Sequence, residues 1–335
     1  MPAEWETQSF VQLTYPHTHT DWAYMLDEVW DCFDTIAREI VKRQNLLVIC
    51  AEEEEIRERL KDLLQDKITY AQIPSNDTWA RDHGGISVLK NEKPYILDFT
   101  FNGWGMKFAA HLDNQITRQL FEKNIFPEGI QYKNQKNFIL EGGSIESDGR
   151  GTILTTTECL LSENRNNLSK KKIEKKLKKY LGAERVLWLH HGYLSGDDTD
   201  SHIDTLARFC NENTIAYVKC DDKNDEHYDE LEKMEKELFS FSPLGVRDSY
   251  NLIPLPMADP VFDEDGLRLP ATYANFLIIN GAVLVPTYNS PKDEIAKQQL
   301  QKAFPEREII GIDCTALVKQ HGSLHCVTMQ YPQFV

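Results

Sequence analysis

Cys326 closes the run His321 to Cys326 (HGSLHC), and a thiol there becomes a nucleophile once a neighbour draws off its proton. Three further polar clusters also lie beside glycines: NDTWARDHGG (Asn76 to Gly85), LEGGSIES (Leu140 to Ser147) and GDDTDSHID (Gly196 to Asp204). Glycine permits tight turns and close main-chain approach, so side chains from distant parts of the chain can converge at such places. His202 and Asp204 stand two apart, and in an extended segment both would face the same side, a pairing suited to a cationic ligand. Each residue taken alone has a plainer reading. Asp82 or Asp204 would be a surface or turn aspartate, His202 a satisfied histidine, and Cys326 an inert buried thiol in a short apolar strand. Their coincidence favours thiol chemistry assisted by an imidazole. His325 adjoins Cys326, but neighbours on a strand face opposite ways, which makes His202 the better acid/base candidate.

The elements that would position these clusters recur. From Gly84 onward the periodicity gives a hairpin, a helix and a further strand, four times over. The first unit is ISVL, turn NEK, PYILDF, a helix from about Leu112 to Phe121, then NFIL. The second is SIES, turn DGRG, TILTT, a lysine-rich helix and RVLWL; the third is TLARFC, turn NEN, TIAYVKC, a helix near Asp229 to Leu238 and LIPLP. The fourth is FLII, turn NGA, VLVPTY, a helix near Asp293 to Ala303 and EIIGI. An N-terminal helix (Tyr24 to Arg43), the strand LLVIC and the C-terminal LHCVTMQ would complete a fifth unit shared by the two ends. Units of about 50 to 70 residues closed by the termini predict an α/β propeller of five ββαβ units and a single domain over residues 1–335.

Composition narrows the partners. A formal charge of −16 over 335 residues repels phosphate backbones and draws in cations, so no nucleic acid is expected. In SKKKIEKKLKKY (Ser169 to Tyr180), Ile173, Leu177, Tyr180 and then Leu181 keep helical spacing, which makes the lysines a solvated face. No apolar run reaches about 18 residues, and MPAEWETQSF is not a secretory signal, so a cytoplasmic protein without a membrane partner is expected. Seven scattered cysteines form neither a disulfide framework nor a metal knuckle. His190, His191, His202 and Asp204 could be imagined on zinc and DDTDSHID on calcium, but HExxH and the EF-hand glycine and glutamate are lacking. No metal and no cofactor are expected, and the sequence leaves room for a homo-oligomer.

Over nearly its whole length the sequence resembles the agmatine deiminase family, related to bacterial peptidylarginine deiminase. The residues carrying the likeness are NDTWARDHG, LEGGSIESDG, ECLLSENRN, GDDTDSHIDTLARF, YANFLIINGAVLVPTYN and HGSLHC, in one order. The family is similar to the pentein group, whose fivefold ββαβ ring agrees with the unit count. The resemblance implies that Asp82 and Asp204 grip the guanidinium of a small-molecule substrate and that Cys326 attacks its central carbon. It further implies that His202 and Glu141 handle protons and that Trp79 shapes the pocket. A planar, delocalised guanidinium suits bidentate carboxylates. Two departures stand out: the family usually carries GGNIHC where this chain has HGSLHC, and a glycine where this chain has Ser201.

Three other functions fit some of the same features. Deimination of free arginine or peptidyl-arginine is one; free arginine would bring a carboxylate needing a cation, for which Arg81, Arg165 and Arg208 are candidates unless they serve as structural ion-pair residues. An amidinotransferase would use the same thiol with an amine in place of water. A non-enzymatic pentein-like binding module, of the kind seen in the ribosome anti-association factor, would have no use for the Cys, His, Glu and Asp set.

Overall fold

The computed structural model describes residues 1–333; positions 334 and 335 of the expected domain lie outside them. Four sheets repeat one order, an antiparallel hairpin whose second strand also pairs in parallel with a third strand delivered by a helix. Parallel pairing demands such a crossover. The first sheet joins Ile86–Lys90, Lys93–Thr100 and Gln131–Ile139, with Asp113–Glu122 as its helix. Asn91 and Glu92 between its hairpin strands both have positive φ, the backbone that lets a two-residue loop follow the strand twist.

The second sheet is Glu146–Ser147, Thr152–Thr156 and Arg185–Leu189 with helix Lys170–Leu181. The third is Ala207–Asn211, Thr214–Lys219 and Asn251–Pro256 with helix Tyr228–Ser240. The fourth is Leu277–Ile279, Ala282–Thr287 and Glu308–Asp313 with helix Lys292–Ala303. In the lysine-rich helix Ile173, Leu177 and Leu181 are buried while the lysines face outward, and Gly182 ends it in the left-handed conformation.

The fifth sheet combines the two ends of the chain. Thr328–Pro332 pairs antiparallel with Gln8–Thr14, which runs parallel to Asn45–Cys50 after the helix Leu26–Val41. A fourth strand, Ile68–Gln72, follows the short helix Glu53–Arg59 and extends this sheet. Sequence periodicity did not mark Gln8–Thr14, Glu53–Arg59 or Ile68–Gln72. The first strand is nearly all buried, glutamines included, so it has no alternation to read.

The chain forms two compact units, Met1–Trp5 with Gly143–Leu324 and Glu6–Gly142 with the segment from His325 onward. In the smaller, Phe10, Leu47, Ile49, Ala80, Ile96, Ile116, Leu120, Met329 and Tyr331 share one core, with the Phe10 and Tyr331 rings stacked at 4.6 Å. In the larger, fully buried Arg208 ion-pairs with Glu4 and Glu146 and donates to the Phe276 carbonyl at 2.6 Å. Glu4 also accepts from the Ile278 amide at 2.7 Å, which ties the N-terminal segment into the fourth sheet's hairpin. No helix among the described residues is long and apolar enough to cross a membrane.

Three polar clusters adopt turns where strands were expected. Leu324 to Val327 form a turn, because the His325 carbonyl accepts from both the amide (3.0 Å) and the hydroxyl (2.9 Å) of Thr328 and so cannot join a ladder. Cys326 therefore precedes the strand rather than lying in it. His202 is the N-cap of a 3-10 turn, Ile203–Thr205, that carries Asp204, so strand alternation does not govern that pair. Gly142–Ser144 is likewise a 3-10 turn, leaving Glu146–Ser147 as the strand.

Candidate active site

In the smaller unit the cluster around Asp82 is built on a loop stapled to the start of a helix. The Asp113 carboxylate, in the first turn of Asp113–Glu122, accepts from the main-chain amides of Asn76 (2.6 Å) and Asp77 (3.3 Å). Asp77 in turn accepts the indole N–H of both Trp22 and Trp79, each at 3.0 Å, which fixes the Trp79 ring. Burial pushes Asp77 up to about 6 and Asp113 up to about 7, so the loop is held by carboxyl groups reluctant to ionise.

Asp82 lies on the single helical turn Ala80–His83 and accepts the Trp104 indole N–H at 2.9 Å. Trp104 reaches it from a rare stretch, Gly103 to Met106, in which all four residues have positive φ. Asn102 caps this stretch by accepting the Gly105 amide at 3.0 Å. At Gly103 a side chain is excluded outright, since a Cβ would lie 2.2 Å from the Phe108 carbonyl oxygen.

Arg81 organises what surrounds Asp82. Its amide donates to the Cys326 carbonyl at 3.1 Å, and its guanidinium is directed at the His325 carbonyl (3.5 Å) and the Met329 sulfur (3.6 Å). Gly142, directly after Glu141, packs so closely on Arg81 that a Cβ would lie 2.1 Å from its carbonyl oxygen. Asp82, Glu141 and Cys326 are thus carried on three segments gathered about one residue's main chain. All three are buried, Glu141 completely, as is Trp79. Cys210 and Cys50, both buried, are pushed by burial up to about 12, the range of inert thiols.

In the larger unit His202 and Asp204 sit at the end of the turn Gly196 to Ser201. Asp197 accepts from the amide (3.2 Å) and hydroxyl (2.6 Å) of Thr199 and from the Ser201 amide (2.6 Å). The Asp204 carbonyl accepts from Asn275 at 3.3 Å and the Thr205 carbonyl from the Thr272 hydroxyl at 2.8 Å. His202 and Asp204 are both buried. His190 and His191 point to surface helices instead, within reach of Lys170 (3.3 Å) and Glu230 (3.0 Å).

Ser201 and the first residue of HGSLHC both stand where the backbone is left-handed. Ser201 has φ 59° and His321 φ 63°, a region that glycine enters freely. The His321 ring also lies 2.7 Å from the Gly196 carbonyl through Nδ1, a link glycine could not make. Sequence reading missed Trp104, Trp22, Asp77 and Asp113. The glycines of FNGWG are the signal that could have marked Trp104; a buried carboxyl bonded to main-chain amides leaves no such trace.

Comparison with known structures gives the class first. Dimethylarginine dimethylaminohydrolase of Pseudomonas aeruginosa superposes with a TM-score of 0.51 at 12% identity, covering 97% of this chain and all of that one. At that distance the likeness concerns the fold, the mixed α/β fold of the penteins. Over residues 1–332 the chain matches the Porphyromonas-type peptidyl-arginine deiminase family, and it belongs to that family. A Porphyromonas gingivalis structure provisionally described as an arginine deiminase is 56% identical, with a TM-score of 0.95 and coverage of 100% and 98%. A cysteine-to-serine variant of C. jejuni agmatine deiminase with substrate bound is 40% identical, with a TM-score of 0.91 and coverage of 99% and 96%. The agmatine deiminase of Medicago truncatula is 33% identical over 99% of this chain and 96% of its own.

Proposed function

We propose that this chain is an agmatine deiminase, a hydrolase that converts the guanidinium of agmatine to a ureido group and releases ammonia. The observation that carries this reading is the full-length likeness to agmatine deiminases, including the substrate-bound C. jejuni structure at 40% identity. The buried carboxylates Asp82 and Asp204 grip the guanidinium nitrogens and Trp79 shapes the pocket. The Cys326 thiolate attacks the central carbon, forming a C–S bond and a tetrahedral adduct. His202 delivers a proton to one terminal nitrogen, its C–N bond breaks, and ammonia departs to leave an S-alkylthiouronium. Water, activated by His202 with Glu141, then adds to the same carbon. The C–S bond breaks, thiolate is regenerated and N-carbamoylputrescine leaves. No cofactor or metal enters these steps.

The same reading takes residues 1–335 as a single catalytic domain whose five larger sheets form a closed ββαβ propeller. The shared strand order of the sheets and the joining of both chain ends in one sheet support it. A cytoplasmic setting, a role in putrescine formation and room for a homo-oligomer belong to it as well.

Arginine deimination is the second reading, favoured by the 56% identical P. gingivalis structure. Against it stand the three candidate cations for a substrate carboxylate. Arg81 serves the Cys326 turn, Arg165 pairs with Asp200, and Arg208 is locked between Glu4 and Glu146. The test is turnover of agmatine, arginine and a blocked arginyl peptide in EDTA, with Cys326→Ala alongside. Agmatine turnover that persists in EDTA and is lost in the variant is expected. Preference for arginine would move the assignment to the second reading, and an active Cys326→Ala protein would refute the thiol mechanism.

A further inference from the structure

The turn before His202 is strained, and one buried arginine holds it. Asp200 and Ser201, neither of them glycine, both occupy the left-handed region, at φ 64° and 59°. Each such residue is disfavoured there, and the conformation persists only where its surroundings over-determine it. Those surroundings are visible. Asp197 holds the turn from inside through Thr199 and the Ser201 amide, and the Thr156 hydroxyl donates to the Ser201 carbonyl at 2.8 Å. A further hold also comes from outside the turn. Arg165, whose side chain is fully buried, ion-pairs with Asp200 and donates to the Thr199 carbonyl at 2.8 Å. Thr199 passes this on, its hydroxyl oxygen accepting the His202 amide at 3.2 Å.

We propose that Arg165 is a positioning residue for the reaction, clamping the strained Thr199–Ser201 peptides so that His202 enters its 3-10 turn with the imidazole aimed for proton transfer. This rests on the reading of His202 as the proton-transfer group. Without the clamp, Asp200 and Ser201 relax toward negative φ and the peptide preceding His202 rotates. A catalytic group misplaced by about 1 Å loses on the order of 100-fold in rate, while the guanidinium is still held by Asp82 on a separate segment and by Asp204, whose own carbonyl is anchored by Asn275 at 3.3 Å. The arginine acts on kcat rather than on binding.

The experiment compares Arg165→Gln, Arg165→Lys, Asp200→Asn, and Arg165→Gln combined with either Asp200→Asn or Ser201→Gly, measuring kcat and KM on agmatine and thermal melting for each. Arg165→Gln is expected to lower kcat about 10- to 100-fold with KM within about twofold. Lysine, which can still pair with Asp200, recovers part of the rate. Adding Asp200→Asn to Arg165→Gln brings no further loss, and adding Ser201→Gly restores rate, because glycine accepts left-handed backbone without a clamp. If Arg165→Gln does not fold, Asp200→Asn must show the same kcat-selective loss. A wild-type kcat in Arg165→Gln, a KM rise at constant kcat, or additive losses in the double variant would overturn the proposal. Full activity of His202→Gln would instead refute the underlying role of His202, whatever the arginine variants do.

Discussion

Asp82 receives the Trp104 indole N–H at 2.9 Å inside a cage of rings in which Trp104 meets Phe101 edge-on at 4.9 Å and Phe108 at 5.5 Å. A donor so placed orients the carboxylate, as the proposed grip on a guanidinium requires. Trp104→Phe keeps most of the ring packing and removes the N–H. It is expected to lower kcat/KM for agmatine about tenfold, the size of one hydrogen bond to a charged group. Steady-state kinetics checks this, and an unchanged kcat/KM would leave Trp104 a packing residue. The residue types proposed for this site come from the motifs, because Cys326, His202, Glu141 and the aspartates cluster beside glycines. The local geometry was not. Strand alternation was applied to His325–Cys326 and to His202–Asp204, yet both pairs lie in turns whose form is set by side-chain hydrogen bonds, one donated by the Thr328 hydroxyl and one accepted by the Asp197 carboxylate.

The element that supports the Asp82 cluster is the helix Asp113–Glu122, through one carboxyl group. Asp113 is raised from 3.8 to about 7, chiefly by burial, against the lowering effect of the Asn76 and Asp77 amides. A folded-state value above the unfolded one means that the folded protein binds the proton more tightly. The stability this group contributes is full below about pH 4 and is lost as pH rises through about 7. Asp113→Asn offers the same amide acceptor without a charge. It is expected to match the parent near pH 4 and to exceed it by about 1–3 kcal/mol near pH 8. Urea unfolding at the two pH values measures the difference; equal stabilities throughout would mean that the carboxyl is ionised at no cost. The helices themselves were legible from apolar spacing within two residues at most ends, as with Lys292–Ala303. The nearly all buried strand Gln8–Thr14 was not, since polar side chains there are satisfied inside, as when Gln12 accepts the Tyr331 hydroxyl at 2.9 Å.

The net charge of −16 acts on the whole molecule. For a substrate bearing two positive charges it raises the encounter rate, and dissolved salt screens that field over roughly 10 Å. Agmatine kcat/KM is accordingly expected to fall as sodium chloride is raised, with kcat nearly constant, in stopped assays across an ionic-strength series. A kcat/KM indifferent to salt would remove long-range attraction from the account. The amino-acid order by itself determined the recurrence of hairpin, helix and strand, the solvated face of the lysine-rich helix and which side chains are proposed as reactive, since periodicity and glycine-flanked motifs are local properties. Only the tertiary structure decided that Arg81, Arg165 and Arg208 face inward to carbonyls and acids, that Trp104 reaches Asp82, and that Ser201 and His321 stand on left-handed backbone. Each of these depends on which distant segment supplies the partner, and no spacing along the chain records that.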